Sequence, residues 1–313
     1  MKPALIWGCV LSTLMSACGA PPFVPYDLNS KEEYQHSQNE QAIKIQFAAE
    51  VNGAAFNCQQ TYAKVGTSSS TLSPKDFRLY ISQIQLVNEA GQAVPLELEQ
   101  DGKWQYKNVA LLDFEDATGS CEGNADTRSF VTGHVPAGKY KGIRFELGVP
   151  FDLNHQDVNL APSPLNLTSL FWVWRSGYKF ARLDFASTGQ SQGYSIHLGS
   201  TGCGEITSAD AHVQHEAHEE TTTASAPAMN MAPEMCSAPN RASVQLPNFD
   251  LQTNQVSVDL GRLLASSNID TNQADTPVGC MSGADDQDCK AIFEHFGLSF
   301  GGQNSQQDFF SMK

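Results

Sequence analysis

Basic residues are scarce in this chain of 313 residues. It has 19 lysines and arginines against 34 aspartates and glutamates, which gives a formal net charge of -15. A nucleic-acid-binding protein needs a basic face that neutralises phosphates, so this balance argues against that class. Hydrophobic residues make up 41% and charged residues only 17%, which is apolar enough for a buried core and too apolar for wholesale disorder. We therefore expect one globular body.

Several sequence patterns of enzymes and cofactor sites are also missing. The chain has no HExxH and no P-loop, and its Gly-x-Ser-x-Gly match, GQSQG at 189–193, falls between two predicted strands and not between a strand and a helix, as a nucleophile elbow does. We therefore expect a protein that is not an enzyme. It has no CxxC, the spacing typical of thiolate metal sites, and no CxxCH, so we expect it to bind no haem. No apolar run reaches the roughly 20 residues that a membrane-spanning helix needs.

The N-terminal segment predicts the compartment. Residues 1–18, MKPALIWGCVLSTLMSAC, have the form of an export signal, with an apolar stretch and small residues directly before Cys18. The ending LMSAC resembles a bacterial lipobox, in which the cysteine is lipidated. We therefore predict a lipoprotein on the periplasmic side of the envelope, anchored to a membrane surface (the outer membrane) through Cys18, with residues 19–40 as a polar tether. The alternative is an ordinary cleavable signal.

Six cysteines remain for disulfides once Cys9 is removed with the signal and Cys18 carries lipid. An even number in an oxidising compartment predicts disulfides, although the sequence leaves their connectivity open. Proximity suggests two pairs, and elimination gives the third. The suggested pairs are Cys203 with Cys236, Cys280 with Cys289, and Cys58 with Cys121.

Strand patterns dominate the rest of the chain. Short runs rich in β-branched and aromatic residues are separated by Gly, Pro, Asn and Ser, and helical patterns are limited to 260–267 and 289–297. We predict an all-β fold, an antiparallel β-sandwich with long loops and a minor C-terminal helix, formed by residues 41–313 as a single domain. The runs are 42–51, 77–87, 140–149, 178–187, 193–199, 242–249 and 254–260.

One segment, 207–235, is rich in histidine and methionine and has no large aromatic residue. It cannot build a core, so we predict a disordered insert, closed at its base if Cys203 pairs with Cys236. Imidazole and thioether donors together suit copper, which makes a weak secondary metal site the first hypothesis. The alternative is a polar loop with incidental histidines. The candidate ligands are His212, His215, His218, Met229, Met231 and Met235.

The stretch 148–203 holds an unusual aromatic pair. Trp172 and Trp174 lie two residues apart, so in an extended strand both indoles would face the same side. Aromatic pairs in β proteins more often belong to a core or a surface cluster. His155 in NHQD and His197 in a short strand are, taken singly, more typical of structural histidines. The nearby Arg175, Tyr178 and Asp184 are interpreted as polar groups of strands.

The motifs NHQD, FWVWRSGYK and HLGSTGC, with VGCMSGADDQDC and the segments between them, resemble the MbnP family, the four-Cys-motif proteins of metallo-mystery pair systems. The resemblance covers roughly residues 43–300. It implies a periplasmic or lipid-anchored copper-binding protein paired with a diheme cytochrome of the MauG/MbnH type. That partner oxidises a tryptophan to kynurenine, and the modified residue is associated with copper binding.

On this sequence the resemblance implies a specific set of site residues. One of Trp172 and Trp174 is the oxidised residue, His155 and His197 are the copper ligands, and Asp157 is the acceptor that orients His155. Ring opening needs a high-valent oxidant that a haem-free chain cannot make, so a partner is required. Kynurenine supplies an amine and a ketone, and two imidazoles with one such donor suit Cu(I). We expect a role in copper acquisition or trafficking.

A second hypothesis belongs to a different class of protein. An acidic, disulfide-bonded envelope lipoprotein could use Trp172 and Trp174 as an exposed stacking platform for a sugar or another protein. Tryptophan fluorescence that responds to such a ligand but not to copper chelators would support it.

Overall fold

Strands make up most of the secondary structure in the computed structural model of the protein, which describes residues 39–173, 175–204, 235–303 and 305–313. The predicted signal segment, nearly all of the tether and all of the insert except Met235 lie outside the described residues. The strands are β1 (Glu40–Val51), β2 (Ala54–Ala55), β3 (Tyr62–Val65), β4 (Ser70–Asn88), β5 (Ala93–Pro95), β6 (Glu97–Leu98), β7 (Gln105–Tyr106), β8 (Val109–Asp113), β9 (Phe130–Pro136), β10 (Tyr140–Leu147), β11 (Ala181–Ala186), β12 (Tyr194–Leu198), β13 (Thr201–Cys203), β14 (Cys236–Ala238), β15 (Ala242–Pro247), β16 (Val256–Asp259), β17 (Gly279–Cys280) and β18 (Phe310–Met312).

Helices are few and short in the described part of the chain. They are α1 (Phe151–Asn154), α2 (Leu260–Leu263) and α3 (Asp288–Phe296), with a 3-10 turn at Thr168–Leu170. None of the helices among the described residues has the length and apolar character needed to cross a membrane.

Two large sheets pack face to face. The order of the first is β18-β16-β1-β9-β6, and that of the second is β15-β10-β4-β11-β12-β17, with further strands along β4. In β1, buried Ile43, Ile45 and Phe47 alternate with more exposed residues, as expected when one face of a strand covers the core. The ring of Phe47 lies 5.9 Å from that of Phe145 in β10, and Phe145 lies 5.1 Å from Phe310 in β18. The core of the sandwich is formed where these faces meet.

The predicted all-β sandwich with a minor C-terminal helix is confirmed, but its sheets are not purely antiparallel. β1 pairs in parallel with β16, and β12 pairs in parallel with β17. Parallel neighbours need long connections, and both pairs join strands that are far apart in the chain. Because run-by-run periodicity reports strands and not their partners, it does not reveal such crossovers.

The six described cysteines form the three disulfides that the sequence suggested. Cys58 is bonded to Cys121, Cys203 to Cys236, and Cys280 to Cys289. The second bond joins β13 to β14, a two-stranded ribbon in which the two cysteines are direct cross-strand partners. Three disulfides indicate an extracytoplasmic protein.

The position of residues 149–179, which we call the excursion, is set by Tyr80 in β4. β8 occupies one edge of β4, while β11 and then β10 follow one another along the other edge. Where β10 ends, Gly148 N donates to Tyr80 O at 2.8 Å. Where β11 approaches, Tyr80 N donates to Phe180 O at 2.8 Å. The excursion therefore leaves and rejoins the sheet at one residue, and it carries most of the candidate site.

Candidate metal centre

Asn154 joins the two halves of the excursion. It ends α1 and is only 1% exposed. Its Oδ1 accepts a hydrogen bond from the backbone N of Tyr178 at 2.8 Å. Gly177 has a φ of +75°, and a Cβ there would lie 2.4 Å from the carbonyl oxygen of Asn154. A glycine at this position therefore allows the chain before Tyr178 to close against α1.

The contact with Asn154 defines the chemical state of His155, the residue that follows α1. The backbone N–H of Tyr178 can only donate, so the atom of the Asn154 amide that it contacts is the oxygen. The other end of the amide, Nδ2, is therefore the atom that lies 3.2 Å from His155 Nε2. An amide nitrogen only donates, so Nε2 accepts and carries the lone pair of the neutral ring. The ring is 5% exposed and lies 4.7 Å from that of Phe151. His155 thus presents Nε2 as the atom that can bind a metal.

The tryptophan motif forms a hairpin. Phe171 and Tyr178 are bridged, Trp172 N donates to Gly177 O at 3.0 Å, and Gly177 N donates to Val173 O at 2.8 Å. The extended strand considered for this motif is therefore interrupted by a turn at Arg175 and Ser176, and Val173 is 60% exposed. Trp174 lies outside the described residues.

Trp172 packs against the end of β12. Its indole lies 6.5 Å from the ring of His197, measured between centroids. Gly199 completes this contact, because a Cβ there would be 2.6 Å from Trp172 Cζ3 and 2.7 Å from Tyr178 O. Only a residue without a side chain lets the indole edge and the hairpin backbone approach the strand this closely.

The backbone after His197 is held from the other side. Ser282 Oγ donates to His197 O and accepts from Gly199 N, both at 3.0 Å, and Asn240 Nδ2 donates to Gly199 O at 2.8 Å. Ser200 Oγ lies 3.5 Å from Asn154 Nδ2, which connects this strand end to α1. The surroundings of His155 and His197 are thus joined by buried polar contacts.

His197 is bound to a carboxylate. Its Nε2 lies 2.8 Å from Asp184 Oδ1, and both residues are buried, at 9% and 8% exposure. Burial by itself would raise the pKa of Asp184, but the hydrogen bond and charge of His197 and the charge of Arg182 hold that pKa well below its usual range. An ionised Asp184 keeps the hydrogen on Nε2, which makes Nδ1 the ring nitrogen of His197 that a metal ion could bind.

Asp184 belongs to a buried row of alternating charges. Its Oδ2 lies 2.7 Å from Arg182 Nε, which is also 3.1 Å from Asp76 Oδ2, and Asp76 binds Arg78 through both carboxylate oxygens. Strand register explains the row, since Arg182 is opposite Arg78 and Asp184 is opposite Asp76. Each arginine is thereby placed against carboxylates, which fixes the position of Asp184 from two sides.

A disulfide borders the site at His155. The Nε2 of His155 lies 3.5 Å from Cys236 Sγ, and the ligand atoms of His155, Cys203 and Cys236 all lie within 4.8 Å of one another. The two sulfurs are bonded to each other, at 2.06 Å. In this state the group contributes the imidazole and no thiolate.

The remaining predicted residues are placed as follows. Asp157 Oδ1 accepts from the backbone N and Nδ2 of Asn159, within its own turn, and its predicted role toward His155 stays a prediction. Met235 is 62% exposed beside Cys236. The other secondary ligands, His212, His215, His218, Met229 and Met231, and the lipidation residue Cys18 lie outside the described residues.

From sequence alone, no role at the site is assigned to three residues that shape it: Asn154, Asp184, which is interpreted as a polar group of a strand, and Gly199. Two of them stand in the motifs NHQD and HLGSTGC, directly beside or near the histidines. Asp184 is 13 residues from His197 and has no local motif to mark it. The alternation of side chains along β11 does place Asp184 and Arg182 on one face of the sheet, and this is the sequence signal that could have indicated their contact.

Comparisons with known proteins agree with the fold. A family model described as MbnP matches residues 40–282. Among solved structures, MbnP from Methylosinus trichosporium is similar, with 29% sequence identity and a TM-score of 0.71, and the alignment covers 87% of this chain and 98% of that chain. Curated protein sequences gave no match.

Proposed function

Because the chain belongs to the MbnP family, we propose that it is an extracytoplasmic, non-catalytic copper-binding protein whose site combines His155, His197 and an oxidised tryptophan. The tryptophan is Trp172 or Trp174, converted to kynurenine by a diheme cytochrome partner. Family membership supports the coarser role of a copper-associated accessory protein. The finer role rests on the chemistry of the donors.

The observation that carries the proposal is the contact of Trp172 with a histidine whose tautomer is fixed. The indole lies against His197, and Asp184 holds the hydrogen of that ring on Nε2. Nδ1 of His197 and Nε2 of His155 are then the two ring nitrogens that would bind copper. Two imidazoles and one amine or ketone donor make a low-coordinate set of the kind that suits Cu(I).

The burial of Trp172 favours this function over a stacking platform for sugar. A platform presents a flat ring face to solvent, whereas Trp172 is half-buried and its ring edge is fitted against Gly199. The indole is therefore held by the protein itself, as expected for a residue that is to be modified in place.

Apolar side chains on the excursion support docking of a protein partner. Large hydrophobic residues are seldom strongly exposed in the described part of the chain, yet Phe151, Leu160 and Val173 are 37%, 82% and 60% exposed. We call these three residues the apolar rim. Phe151 contacts His155 and Val173 follows Trp172, so these two adjoin the candidate ligands, and Leu160 lies on the same excursion. An oxidising partner bound there would face the tryptophan hairpin.

The predicted signal and lipobox, with Cys18 as the lipidated residue, complete the proposal. They would place the protein on the periplasmic side of the envelope, where the three disulfides are stable and a cytochrome partner is present. Mass analysis of the mature N-terminal peptide tests this point, and a free amino group on Cys18 without acyl chains would contradict it.

Co-expression of the full chain with its diheme cytochrome tests the central proposal. We expect the peptide that spans residues 171–178 to gain the mass change of kynurenine formation, and the purified protein to hold one copper ion. Trp172→Phe and Trp174→Phe identify the modified residue, since only one of them should abolish both signals. His155→Ala and His197→Ala should lose copper, while His295→Ala should keep it, because His295 binds Asp308 instead. Unmodified tryptophans with no copper above background would refute the proposal.

A further inference from the structure

His155 stands beside a second set of soft donor atoms. Among the described residues, His155, Cys203 and Cys236 are the one group of three histidine, cysteine or acidic residues whose ligand atoms lie mutually within 4.8 Å. A disulfide sulfur is a poor metal ligand, whereas a thiolate is a strong one. The state of one covalent bond therefore decides how many donors surround His155.

We propose that reduction of the Cys203–Cys236 disulfide turns His155, Cys203 and Cys236 into a Cu(I) site of two thiolates and one imidazole. The proposal deepens the proposed function and rests on it for the metal, since His155 belongs to both ligand sets. Copper at His155 is then shared between the site of Trp172 and His197 and this thiolate site, according to the redox state of the disulfide.

The spacing of the donors fits one metal ion. Nitrogen and sulfur ligands about 2.1 and 2.3 Å from a shared ion lie about 3.6 Å apart at a tetrahedral angle and about 3.8 Å apart at the wider angle of a three-coordinate site. His155 Nε2 and Cys236 Sγ are already 3.5 Å apart in the disulfide-bonded protein. The two bonded sulfurs must still separate, which requires rotation of the two cysteine side chains.

Backbone pairing keeps the two cysteines together after reduction. Cys203 and Cys236 are cross-strand partners in the β13–β14 ribbon, as are Thr201 and Ala238. Gly204 N also donates to Met235 O at 2.9 Å, just beyond the disulfide. The thiols would thus remain opposite each other, because these hydrogen bonds do not depend on the S–S bond.

Among the three described disulfides, Cys203–Cys236 is the one that a reductant in solvent can reach. Cys236 is half-buried, whereas each of the other five described cysteines is 8% exposed or less. Thiol–disulfide exchange requires an attacking thiolate to reach one sulfur in line with the bond. A reductant can approach Cys236 Sγ, while the disulfides Cys58–Cys121 and Cys280–Cys289 are shielded.

The exchange balances with a dithiol reductant. Its thiolate attacks Cys236 Sγ, the S–S bond breaks, and the Cys203 thiolate leaves. The second thiol of the reductant then displaces Cys236, which forms the reductant's own disulfide and transfers two electrons and two protons in total. Cu(I) binding releases the two thiol protons to solvent. Two thiolates and one imidazole favour soft Cu(I), while Zn²⁺ prefers a fourth protein ligand or a water.

The test uses the full chain with His197→Ala, made without a cytochrome partner, so that the site of the proposed function is absent. A limited dithiothreitol treatment followed by desalting should expose two thiols, mapped by alkylation and mass spectrometry to Cys203 and Cys236. Anaerobic titration with Cu(I) against a chromophoric Cu(I) chelator should then show one tightly bound ion per reduced chain, with copper–sulfur scattering in X-ray absorption. The oxidised chain should bind no Cu(I) tightly enough to compete with the chelator.

Matched variants separate this site from adventitious thiol binding. Adding His155→Ala should weaken Cu(I) binding by about tenfold or more, since even outer partners of metal ligands contribute about 10- to 100-fold. Adding His295→Ala should change nothing. Equal affinity in both variants, copper uptake that does not depend on reduction, or a preference for Zn²⁺ over Cu(I) would overturn the proposal. If the cytochrome-matured, oxidised protein binds copper while these results appear, the proposed function stands and this inference fails.

Discussion

His197 and Asp184 bind each other diagonally across the β11–β12 pairing. The direct partner of His197 is Arg182 and that of Asp184 is Ser195, yet His197 Nε2 lies 2.8 Å from Asp184 Oδ1. Residues offset by two positions share a face of the sheet, so long side chains can meet across the diagonal. The contact places a fixed negative charge behind the imidazole, on the side away from Nδ1.

Asp184→Asn should therefore weaken copper binding without removing a ligand. The amide lacks the charge that keeps the hydrogen on Nε2, so the tautomer with the lone pair on Nδ1 becomes less favoured. We expect a loss of about 10- to 100-fold in Cu(I) affinity, measured by chelator competition on cytochrome-matured protein. The ring nitrogen shifts of His197, measured by NMR, should report the altered tautomer.

Asp308→Asn is the matched control. Asp308 also binds a histidine, His295, at 2.7 Å, but its side chain is 50% exposed and its histidine partner is not a candidate ligand. We expect unchanged copper affinity in this variant. The same loss in both variants would show that Asp184 acts through general stability and not through His197.

The sequence predicts those features of the fold that are encoded in neighbouring residues of one strand. Period-2 runs predicted β1, β4 and β10, because a strand that covers a core carries its own pattern. β9 was missed, since Gly133 stands between Val131 and Val135 where an apolar residue would complete the alternation. A Cβ at Gly133 would lie 2.3 Å from Glu97 O, so strand packing requires the residue that hides the pattern.

The site follows the same logic. His155 and His197 were identified through motifs, but the partners that define their tautomers, Asn154 and Asp184, are specified by chain closure and strand register. The amide orientation of Asn154 depends on Tyr178, 24 residues away. This contact forms only when the chain at the end of the excursion pairs again with β4 at Tyr80. No pattern among neighbouring residues encodes it.

The buried carboxyl group of Asp113 should make the free energy of unfolding decrease as the pH rises. It lies opposite Arg78 in the sheet, is fully buried, and neither carboxylate oxygen has a hydrogen-bond partner in the described part of the chain. Burial raises its pKa to about 8, with a partial opposing effect of Arg78 and a further rise from the charge of Glu115. Between about pH 4 and 8 the folded state then holds a proton that the unfolded state has lost.

The free energy of unfolding should accordingly decrease by up to about 1.4 kcal/mol per pH unit in that window, owing to Asp113 alone. Asp184 has the opposite sign, since its lowered pKa makes stability fall only as pH drops below about 4. Urea unfolding at several pH values, compared with Asp113→Asn, measures the difference. The uncharged variant should lose this slope, and identical pH profiles for the two proteins would contradict the account.

Gly199→Ala should displace the tryptophan hairpin. The added Cβ would meet Trp172 Cζ3 and the backbone oxygen of Tyr178 at 2.6 and 2.7 Å, and the backbone atom cannot move without shifting the hairpin base. Overpacking of this kind costs about 1–3 kcal/mol of stability. We expect red-shifted tryptophan fluorescence and weaker copper binding. Gly138→Ala is the control, because the nearest atom to its Cβ would be 3.8 Å away, and it should leave both measurements unchanged.

Leu160→Glu should slow modification of the tryptophan by the cytochrome. Leu160 is 82% exposed on the apolar rim, so a carboxylate there is well solvated in the free protein and leaves the fold intact. Docking of a partner would bury that charge, which disfavours the complex. We expect the rate of kynurenine formation, followed by mass spectrometry of the 171–178 peptide, to fall about tenfold, equivalent to about 1.4 kcal/mol of binding free energy. Met312→Glu adds the same charge at a residue that is 46% exposed on β18, in the other sheet, and it should leave the rate unchanged. Equal rates for the two variants would place the docking surface away from the rim.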